Sequence, residues 1–307
     1  MHGQKEQAEG SGLLSGVGRD WKLGMVLAAP ILVWLSVFLV YPLANTVIAS
    51  FHNTRLGMPR GSFVGLDTYR FILTEDDRFW GAVGNSVVFT AGSVALQTVF
   101  GLGTALLLHR SFPGRTFLRA WVILPWVVPF SVVAAMARWM LSSSFGVVNW
   151  ILLQVGFLSS PVSFLANPDL AMFTAISVNS YKWFAFVGVM YLAVLQGIPE
   201  DLYEAARIDG STKRQEFRYI TLPALLPTMS IVTLLITFFN FNTFGLIWLL
   251  TRGGPGGTTT TLPVLIYRRA FQGFRISEAA AISLVMFVML LAFTIAYQTI
   301  RERWVEE

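Results

Sequence analysis

Polar and aromatic side chains form two clusters inside segments that are otherwise apolar. In the first, Asn179, Lys182 and Trp183 stand at positions i, i+3 and i+4, which places them on one face of a helix. In the second, Phe241 is followed by Asn242 in the stretch FFNFNTF. Amide and ammonium groups hydrogen-bond to hydroxyl groups, and an aromatic face offers an apolar surface to a saturated ring. These five residues are therefore candidate binding residues for a polyhydroxylated ligand.

Each cluster also has an interpretation that involves no ligand. Buried asparagines can hydrogen-bond from helix to helix, typically with about 0.6 kcal/mol per bond inside a membrane. Lys182 can extend its ammonium group toward an interface if its helix is shifted, and Arg138 can do the same. If both cations instead face a cavity, a phosphorylated or acidic ligand is favoured over a neutral one.

The composition of the 307-residue chain indicates which elements carry these clusters. Hydrophobic residues make up 54%, charged residues make up 13%, and the mean hydropathy is +0.61, whereas soluble domains are about 25% charged. Apolar runs of about 20 residues are long enough for a helix to cross a bilayer, and barrel strands would instead alternate over about 10 residues. We therefore predict an all-α polytopic membrane protein. The predicted spans cover residues 24–50, 82–108, 119–141, 170–194, 224–250 and 279–300.

Two of these spans have particular features. Pro125 and Pro129 should kink the third span, because proline removes a backbone donor. The first span is longer than the apolar core of a signal peptide, so we expect it to be retained as a membrane helix. Residues 1–20, which precede it, are rich in Gly, Ser and charge and predict a flexible tail, and residues 21–307 form the predicted membrane domain.

Several kinds of chemistry are excluded by residue types that the sequence lacks. The chain has no cysteine and its three histidines are far apart, so we predict no metal site. The stretch GGPGG at 253–257 lacks the Gly-Lys-Ser/Thr ending of a phosphate-binding loop. The predicted spans hold essentially none of the acidic residues that an ion-coupled secondary transporter requires. We therefore expect a protein that is not an enzyme, does not bind nucleic acid and carries no cofactor itself.

The basic residues predict how the chain lies in the membrane. Lys and Arg are more frequent on the side that holds both termini, in short loops close to the spans, and such loops face the cytoplasm. Both termini and the segment 198–223 are therefore predicted to be cytoplasmic. The net charge of +5 is explained by this distribution.

A compact charged segment separates the fourth and fifth predicted spans. Pro199 suits the first turn of a helix, and Gly210 suits its end. Thr212 and Gln215 have the spacing of a capping box, which predicts a second short helix as far as Pro223. From physical chemistry alone, such a bent pair of helices could dock into a partner's cleft or lie on lipid headgroups.

The sequence of this segment, EAARIDGSTKRQEFRYITLPALLP, resembles the EAA loop of binding-protein-dependent ABC importer permeases. The pattern is Glu-Ala-Ala, three residues, Gly, and further on a hydrophobic residue before Leu-Pro. Ser211 stands where many members have alanine. The stretches FVGLDTYRFIL, FWGAVGNSVVFT and LLTRGGPGGTTTTLPVLIYRRAF resemble the carbohydrate-uptake branch of the family, in particular its MalF-like permeases. The similarity covers most of the chain from the first span onward.

This resemblance implies a type I ABC importer permease fold and a role in ATP-driven import of a sugar, a polyol or glycerol phosphate. The implied partners are a second homologous permease, two ATP-binding cassette subunits and an extracytoplasmic binding protein in a prokaryotic cytoplasmic membrane. ATP and Mg would be bound by the ATPase subunits. Matched to the motif, the residues implied in coupling to the ATPase are Glu204, Ala205, Ala206, Asp209, Gly210 and Phe217. A stand-alone secondary transporter is the alternative.

Overall fold

The computed structural model describes residue 21 and residues 24–305, which form helices joined by loops. The predicted tail, residues 1–20, lies outside the described residues. We number the helices in chain order as α1 Gly24–Ser50, α2 Asp67–Thr74, α3 Asp77–His109, α4 Arg115–Val127, α5 Phe130–Met140, α6 Val147–Gln154, α7 Pro168–Gly197, α8 Glu200–Ile208, α9 Lys213–Phe241, α10 Gly245–Leu250, α11 Leu262–Tyr267 and α12 Ile276–Val305.

Five of these helices are long and apolar enough to cross a membrane, namely α1, α3, α7, α9 and α12. Helices α4 and α5 pass the same test together but meet at an angle of 96°. The part of the chain that the structure describes therefore contains six candidate spans if this pair counts as one broken span. The prediction of an all-α polytopic membrane protein is confirmed.

The predicted third span, 119–141, is two helices rather than one. After α4 ends, Val128 adopts an extended backbone with φ −62° and ψ 132°. Pro129 is the cause, because the ring of a proline disfavours helical geometry in the residue before it. Pro125 stays inside α4. The kink predicted from the two prolines is thus a complete break at the second of them.

The helix that carries the predicted fifth span, 224–250, begins and ends earlier than that range. Helix α9 already starts at Lys213, and α10 is a separate helix. At the end of α9, the N–H of Thr243 turns to the carbonyl of Asn240 at 3.0 Å. The carbonyl of Phe239 accepts instead from Thr243 Oγ1 at 2.8 Å. A threonine side chain thus takes the place of a backbone donor at the end of the helix.

The second short helix predicted after Gly210 does not end at Pro223 but continues as α9. The segment Phe217–Thr221 is a π-helical turn, in which the N–H of Leu222 reaches back to the carbonyl of Phe217. In a regular helix the proline ring would clash with the carbonyl four residues before it. A π turn contains one extra residue, so the carbonyl groups before Pro223 pair with donors one position further along the chain. The helix can therefore continue through the proline.

Helices α3 and α7 cross closely at two glycines. A Cβ atom on Gly101 would lie 2.6 Å from Val187 Cγ1 and 3.1 Å from the backbone nitrogen of Gly188. Small residues at such crossings let two backbones approach, which favours helix association in a bilayer. A Cβ atom on Gly103, two residues further along α3, would have no neighbour within 4 Å.

One end of the bundle carries α8. Leu108 of α3, Leu195 of α7 and Leu225 of α9 are buried in one apolar cluster, and Tyr203 of α8 hydrogen-bonds to Thr221 of α9. Helices α3 and α7 are therefore parallel, with their carboxyl ends at the point where α9 begins. We call this the α8 end of the bundle.

Replacing Gly101 with alanine should destabilise the protein, because overpacking a close contact costs about 1–3 kcal/mol. We expect the thermal unfolding midpoint of the purified protein to fall by a few degrees. Gly103→Ala is the matched control and should leave the midpoint unchanged or raise it, because alanine favours a helix by up to about 1 kcal/mol over glycine. Equal midpoints for the two variants would contradict the role of the close crossing.

Candidate functional site

Helix α8 ends in a motif that requires glycine. Gly210 has a φ of +80°, in the left-handed region that strains residues with a Cβ atom. Its N–H donates to the carbonyl of Arg207 at 3.1 Å, and the N–H of Ser211 donates to that of Ala206 at 2.9 Å. This pair of bonds is a Schellman motif. The helix end predicted at Gly210 is therefore confirmed.

A capping box begins α9 directly after this bend. The N–H of Thr212 donates to Gln215 Oε1 at 2.8 Å, and the N–H of Gln215 donates to Thr212 Oγ1 at 3.4 Å. Two backbone donors that the first turn would leave without partners are thus satisfied within the segment. Local hydrogen bonds on both sides of the bend constrain how α8 is held relative to α9.

Two further contacts attach α8 to α9. Arg207 Nε lies 3.4 Å from Glu216 Oε1 of α9, and Arg207 Nη2 lies 3.2 Å from Glu200 Oε1 within α8. Glu216 is buried and Glu200 is exposed, so the bond to Glu200 contributes little. The hydroxyl groups of Tyr203 and Thr221 lie 2.9 Å apart. A displacement of α8 must therefore displace the start of α9.

The outward surface of α8 is apolar as well as charged. Ile208 is 87% exposed and Leu202 is 52% exposed. Both side chains are available for contact with a partner. Ile208 is a candidate that the sequence analysis missed, although its position as the last helical residue before the glycine turn could have indicated it.

The six residues implied in coupling divide into two groups. Helix α8 and its bend expose Glu204, Ala205, Asp209 and Gly210. The other two, Ala206 and Phe217, are half-buried. Phe217 lies in the π-helical turn of α9, so it belongs to the support of α8 rather than to its outward surface.

The predicted binding residue Asn179 lies inside the bundle. Its side chain is 1% exposed, and Nδ2 donates to Ser93 Oγ at 3.1 Å and to Asn240 Oδ1 at 2.6 Å. Asn240 Nδ2 donates in turn to Gln97 Oε1 at 3.0 Å. These four side chains join α3, α7 and α9. In this conformation Asn179 therefore hydrogen-bonds from helix to helix, as the interpretation without a ligand predicts. Gln97 was not singled out from the sequence, where a lone glutamine gives no signal of its partners.

Lys182 binds the carbonyl groups at the broken span. Its Nζ donates to the carbonyl oxygens of Pro125 at 3.5 Å, Trp126 at 3.1 Å and Val128 at 2.6 Å. In a continuous helix the Pro125 carbonyl would accept from residue 129, but Pro129 has no N–H. A cation is also favoured at the carboxyl end of a helix. The three donors of the ammonium group thus have backbone acceptors at the break.

Trp183 belongs to an aromatic cluster beside this break, formed by Trp126, Trp183, Phe186 and Phe239. The rings of Trp183 and Phe239 are stacked, with centroids 5.2 Å apart and an interplanar angle of 20°. Phe186 lies edge-on to Trp183 at 5.9 Å and contacts Trp126 at 5.7 Å. Trp126 and Phe239 are exposed and the other two are half-buried. The chain therefore presents aromatic surface next to the backbone carbonyls of the break.

The remaining predicted binding residues lie apart from this cluster. Phe241 is buried in an apolar cluster with Phe79 and Leu262. Asn242 is exposed and lines a cavity of about 570 Å³ between α9, α11 and α12, which includes no residue of the aromatic cluster. The five predicted residues therefore do not form one site within this chain. Within the described ranges, no group of three or more His, Asp or Glu residues could hold a metal ion.

Known proteins resemble this chain over nearly its whole length. A sequence model of the family described as "Binding-protein-dependent transport system inner membrane component" matches residues 97–306. The chain is 38% identical over 282 residues to the trehalose/maltose transport system permease protein MalF of Thermococcus litoralis, covering 91% of this chain and 93% of that protein. It is 33% identical over 280 residues to the sulfoquinovosyl glycerol transport system permease protein SmoG of Agrobacterium fabrum, covering 91% of this chain and 90% of that protein.

A solved structure has the same fold. It is a bacterial alginate ABC transporter in complex with an alginate pentasaccharide-bound periplasmic protein. One of its chains is 27% identical to this chain and superimposes with a TM-score of 0.82, covering 95% of this chain and 97% of that one. The shared fold therefore extends over nearly the whole chain.

Lys182→Met should destabilise the protein, because it leaves the carbonyl groups at the break without a charged donor, and such bonds contribute about 1.5–3 kcal/mol each. We expect a fall of several degrees in the thermal unfolding midpoint. Lys182→Arg keeps a cation and should lower the midpoint less. Tyr181→Phe, at the exposed neighbouring position, is the control and should not change it. A Lys182→Met protein that unfolds at the native temperature would exclude the structural role.

Proposed function

Because the chain belongs to the family of binding-protein-dependent transport system inner membrane components, we propose that it imports a sugar or a related polyol or glycerol phosphate through a path shared with a second, homologous permease. The chain is a multi-pass permease subunit of an ABC importer in the inner membrane. It is thus a transporter component rather than an enzyme. Family membership also sets aside the alternative of a stand-alone secondary transporter.

The attachment of α8 to α9 is the observation that carries this proposal. α8 exposes Glu204 and Ile208, and the contacts from Arg207 to Glu216 and from Tyr203 to Thr221 connect it to a membrane helix. We infer that α8 lies in a groove of an ATP-binding cassette subunit, with Glu204 facing a basic residue. Two such subunits bind ATP and Mg, and this chain supplies no cofactor.

Closure of the two ATPase subunits around ATP then moves α8, and α9 moves with it. The far end of α9 carries Phe239 of the aromatic cluster and Asn240 of the hydrogen-bonded network. A displacement at the α8 end thereby reaches the middle of the bundle through one continuous helix. ATP can drive this change only because it binds more tightly to one of the two permease conformations than to the other.

We place the substrate path along the broken span and the aromatic cluster beside it. Helix α4 has 13 residues and so is about 20 Å long, which places the break inside the roughly 30 Å of hydrocarbon. Non-helical backbone at that depth is tolerated only where protein covers it or where it lines a water-filled cavity. Exposed Trp126 and Phe239 beside such carbonyls suit the apolar faces and hydroxyl groups of a sugar. Trp183 is therefore retained as a substrate-binding candidate.

The names of the relatives support a carbohydrate substrate. Their transport systems are named for trehalose and maltose and for sulfoquinovosyl glycerol, and the solved structure holds alginate on its periplasmic protein. These compounds share a dense array of hydroxyl groups, whereas only some of them carry an acidic group. Since Lys182 is occupied by the carbonyls of the break, we favour a neutral sugar over an anionic substrate.

We place the α8 end on the cytoplasmic side, together with both termini. Tyr297 of α12 donates to the carbonyl of Ser230 in the middle of α9, and Phe241 at the end of α9 shares an apolar cluster with Ile282 early in α12. Helix α12 therefore runs antiparallel to α9, so it ends at the same side as α8. At the opposite end, Asn85 Nδ2 donates to the carbonyls of Gly257 at 3.0 Å and Thr260 at 3.1 Å. These bonds hold the glycine-rich loop against α3, where it can receive an extracytoplasmic binding protein.

Gly210→Val should uncouple ATP hydrolysis from substrate. In nanodiscs that contain the complete importer with its binding protein and sugar, we expect the stimulated ATPase rate to fall about tenfold toward the basal rate, because a β-branched residue is strained at this φ. Gly197→Val is the matched control. A Cβ atom at Gly197 would likewise meet open space, but the φ of Gly197 is not positive, so this variant should retain its stimulation.

A charge variant tests the same interface by a different route. Glu204→Lys should also abolish stimulation by reversing the exposed charge, whereas Glu204→Asp should keep part of it. If Gly210→Val and Glu204→Lys both respond to binding protein and sugar as the native chain does, α8 is not the coupling element.

Trp183→Ala should weaken uptake of the sugar that stimulates the ATPase, because stacking on an aromatic face contributes about 0.5–1.5 kcal/mol. We expect the sugar concentration at half-maximal uptake into proteoliposomes to rise about threefold to tenfold. Trp183→Phe should retain most of the affinity, and Trp150→Ala, an exposed tryptophan on α6, is the control. Unchanged uptake by Trp183→Ala would remove the aromatic cluster from the substrate path.

A further inference from the structure

Three basic residues lie where α3 ends and α4 begins. His109 is the last residue of α3, and Arg115 and Arg119 lie one helical turn apart on α4. Arg119 Nη2 lies 3.5 Å from the carbonyl oxygen of Leu108, which brings the second arginine against the end of α3. We call His109, Arg115 and Arg119 the basic cluster.

The basic cluster has no acidic partner among the described residues, and the one acceptor that its side chains have there is the Leu108 carbonyl. The five ion pairs of this part of the chain use only Arg207, Arg269 and Arg275 as cations. Within the cluster, His109 Nδ1, Arg115 Nε and Arg119 Nε are buried atoms without a hydrogen-bond partner. Buried polar atoms in native proteins are nearly always satisfied, so two arginine donors and an imidazole nitrogen left together indicate a group that supplies acceptors from outside these residues.

The depth of the cluster is that of lipid headgroups. Phe117 and Trp121 stand on the other side of the same two turns of α4, are exposed, and have ring centroids 6.2 Å apart. Tryptophan is enriched at the level of the headgroups, where its amphipathic ring contacts both lipid and water. Leu118 also packs on the buried cluster at the α8 end, so the basic cluster lies at the same membrane surface as α8.

We propose that the basic cluster, between the end of α3 and the start of α4, binds the phosphate group of an anionic phospholipid. Guanidinium groups bind phosphate oxygens through charge-assisted bonds with matching geometry. Basic pockets between membrane helices bind acidic headgroups in this way. Because α4 leads directly to the break at Pro129, a bound lipid holds the near end of the broken span in place.

This proposal does not depend on the transported substrate, so its test needs no sugar. The importer complex, purified in detergent and stripped of lipid, is titrated with dioleoylphosphatidylglycerol, and bound lipid is counted by native mass spectrometry. Parallel titrations use dioleoylphosphatidylcholine and inorganic phosphate, with the thermal unfolding midpoint as the second measurement. The variants are Arg115→Gln and Arg119→Gln. Arg301→Gln, which removes the same charge near the end of α12 at the same membrane surface, is the control.

We expect one phosphatidylglycerol to bind tightly to the native complex and to the control. Its apparent dissociation constant should rise about tenfold or more in each cluster variant, as loss of a charge-assisted bond requires. Phosphatidylcholine should bind equally weakly to all four proteins. If a variant folds poorly, Arg115→Lys should restore folding and part of the selectivity.

Three results would overturn the proposal. Equal phosphatidylglycerol binding by native and cluster variants would show that the cluster is not the site. Equal stabilisation by inorganic phosphate would identify a soluble anion instead of a lipid. The cluster variants could be less stable than the native complex while added phosphatidylglycerol leaves the stability of the native complex unchanged. That result would show that an acidic group of the protein assembly occupies the cluster.

Discussion

The rule that buried polar groups need partners in a low-dielectric interior shapes this permease most strongly. At the centre of the bundle, Gln97, Asn179 and Asn240 exchange hydrogen bonds between α3, α7 and α9. Each amide satisfies another, and removal of one would leave the others unpaired in a place that water does not reach. The close crossing of Gly101 with Gly188 brings α3 and α7 near enough for this network to form. Packing and polarity therefore depend on each other at the same crossing.

The same rule explains how a broken helix persists at membrane depth. Pro129 removes a backbone donor and turns the chain by 96°, which leaves carbonyl groups that no helix satisfies. Lys182 of α7 supplies the missing donors. A cation that first suggested an anion-binding site is thus held by the backbone, and the aromatic rings beside it become the better candidates for contact with substrate. The break costs little because a neighbouring helix compensates for it.

The continuity of α9 determines how α8 is connected to the middle of the bundle. The π-helical turn at Phe217–Thr221 lets α9 pass through Pro223 without interruption. Helix α9 therefore connects Glu216, which pairs with α8, to Phe239 beside the break, a distance of about 35 Å along the helix. The sequence alone predicted a helix end at Pro223, which would have separated α8 from the membrane helix. The observed helix is continuous through this point, and the left-handed conformation of Gly210 sets the angle between α8 and α9.

Local physical chemistry determined much of this protein from sequence alone. Hydropathy and run length indicated an all-α membrane protein, and the Schellman glycine and the capping box of Thr212 and Gln215 are confirmed, because each depends on a few adjacent residues. The motif of the charged segment likewise led to the family. The tertiary structure decided which polar side chains face each other. Asn179 and Lys182 share a helical face with Trp183, yet their partners, Asn240 and the carbonyls near Pro129, come from segments more than 50 residues away in the sequence. Spacing within one helix fixes the direction of a side chain, but only the packing of other helices decides whether it meets a ligand or a neighbour.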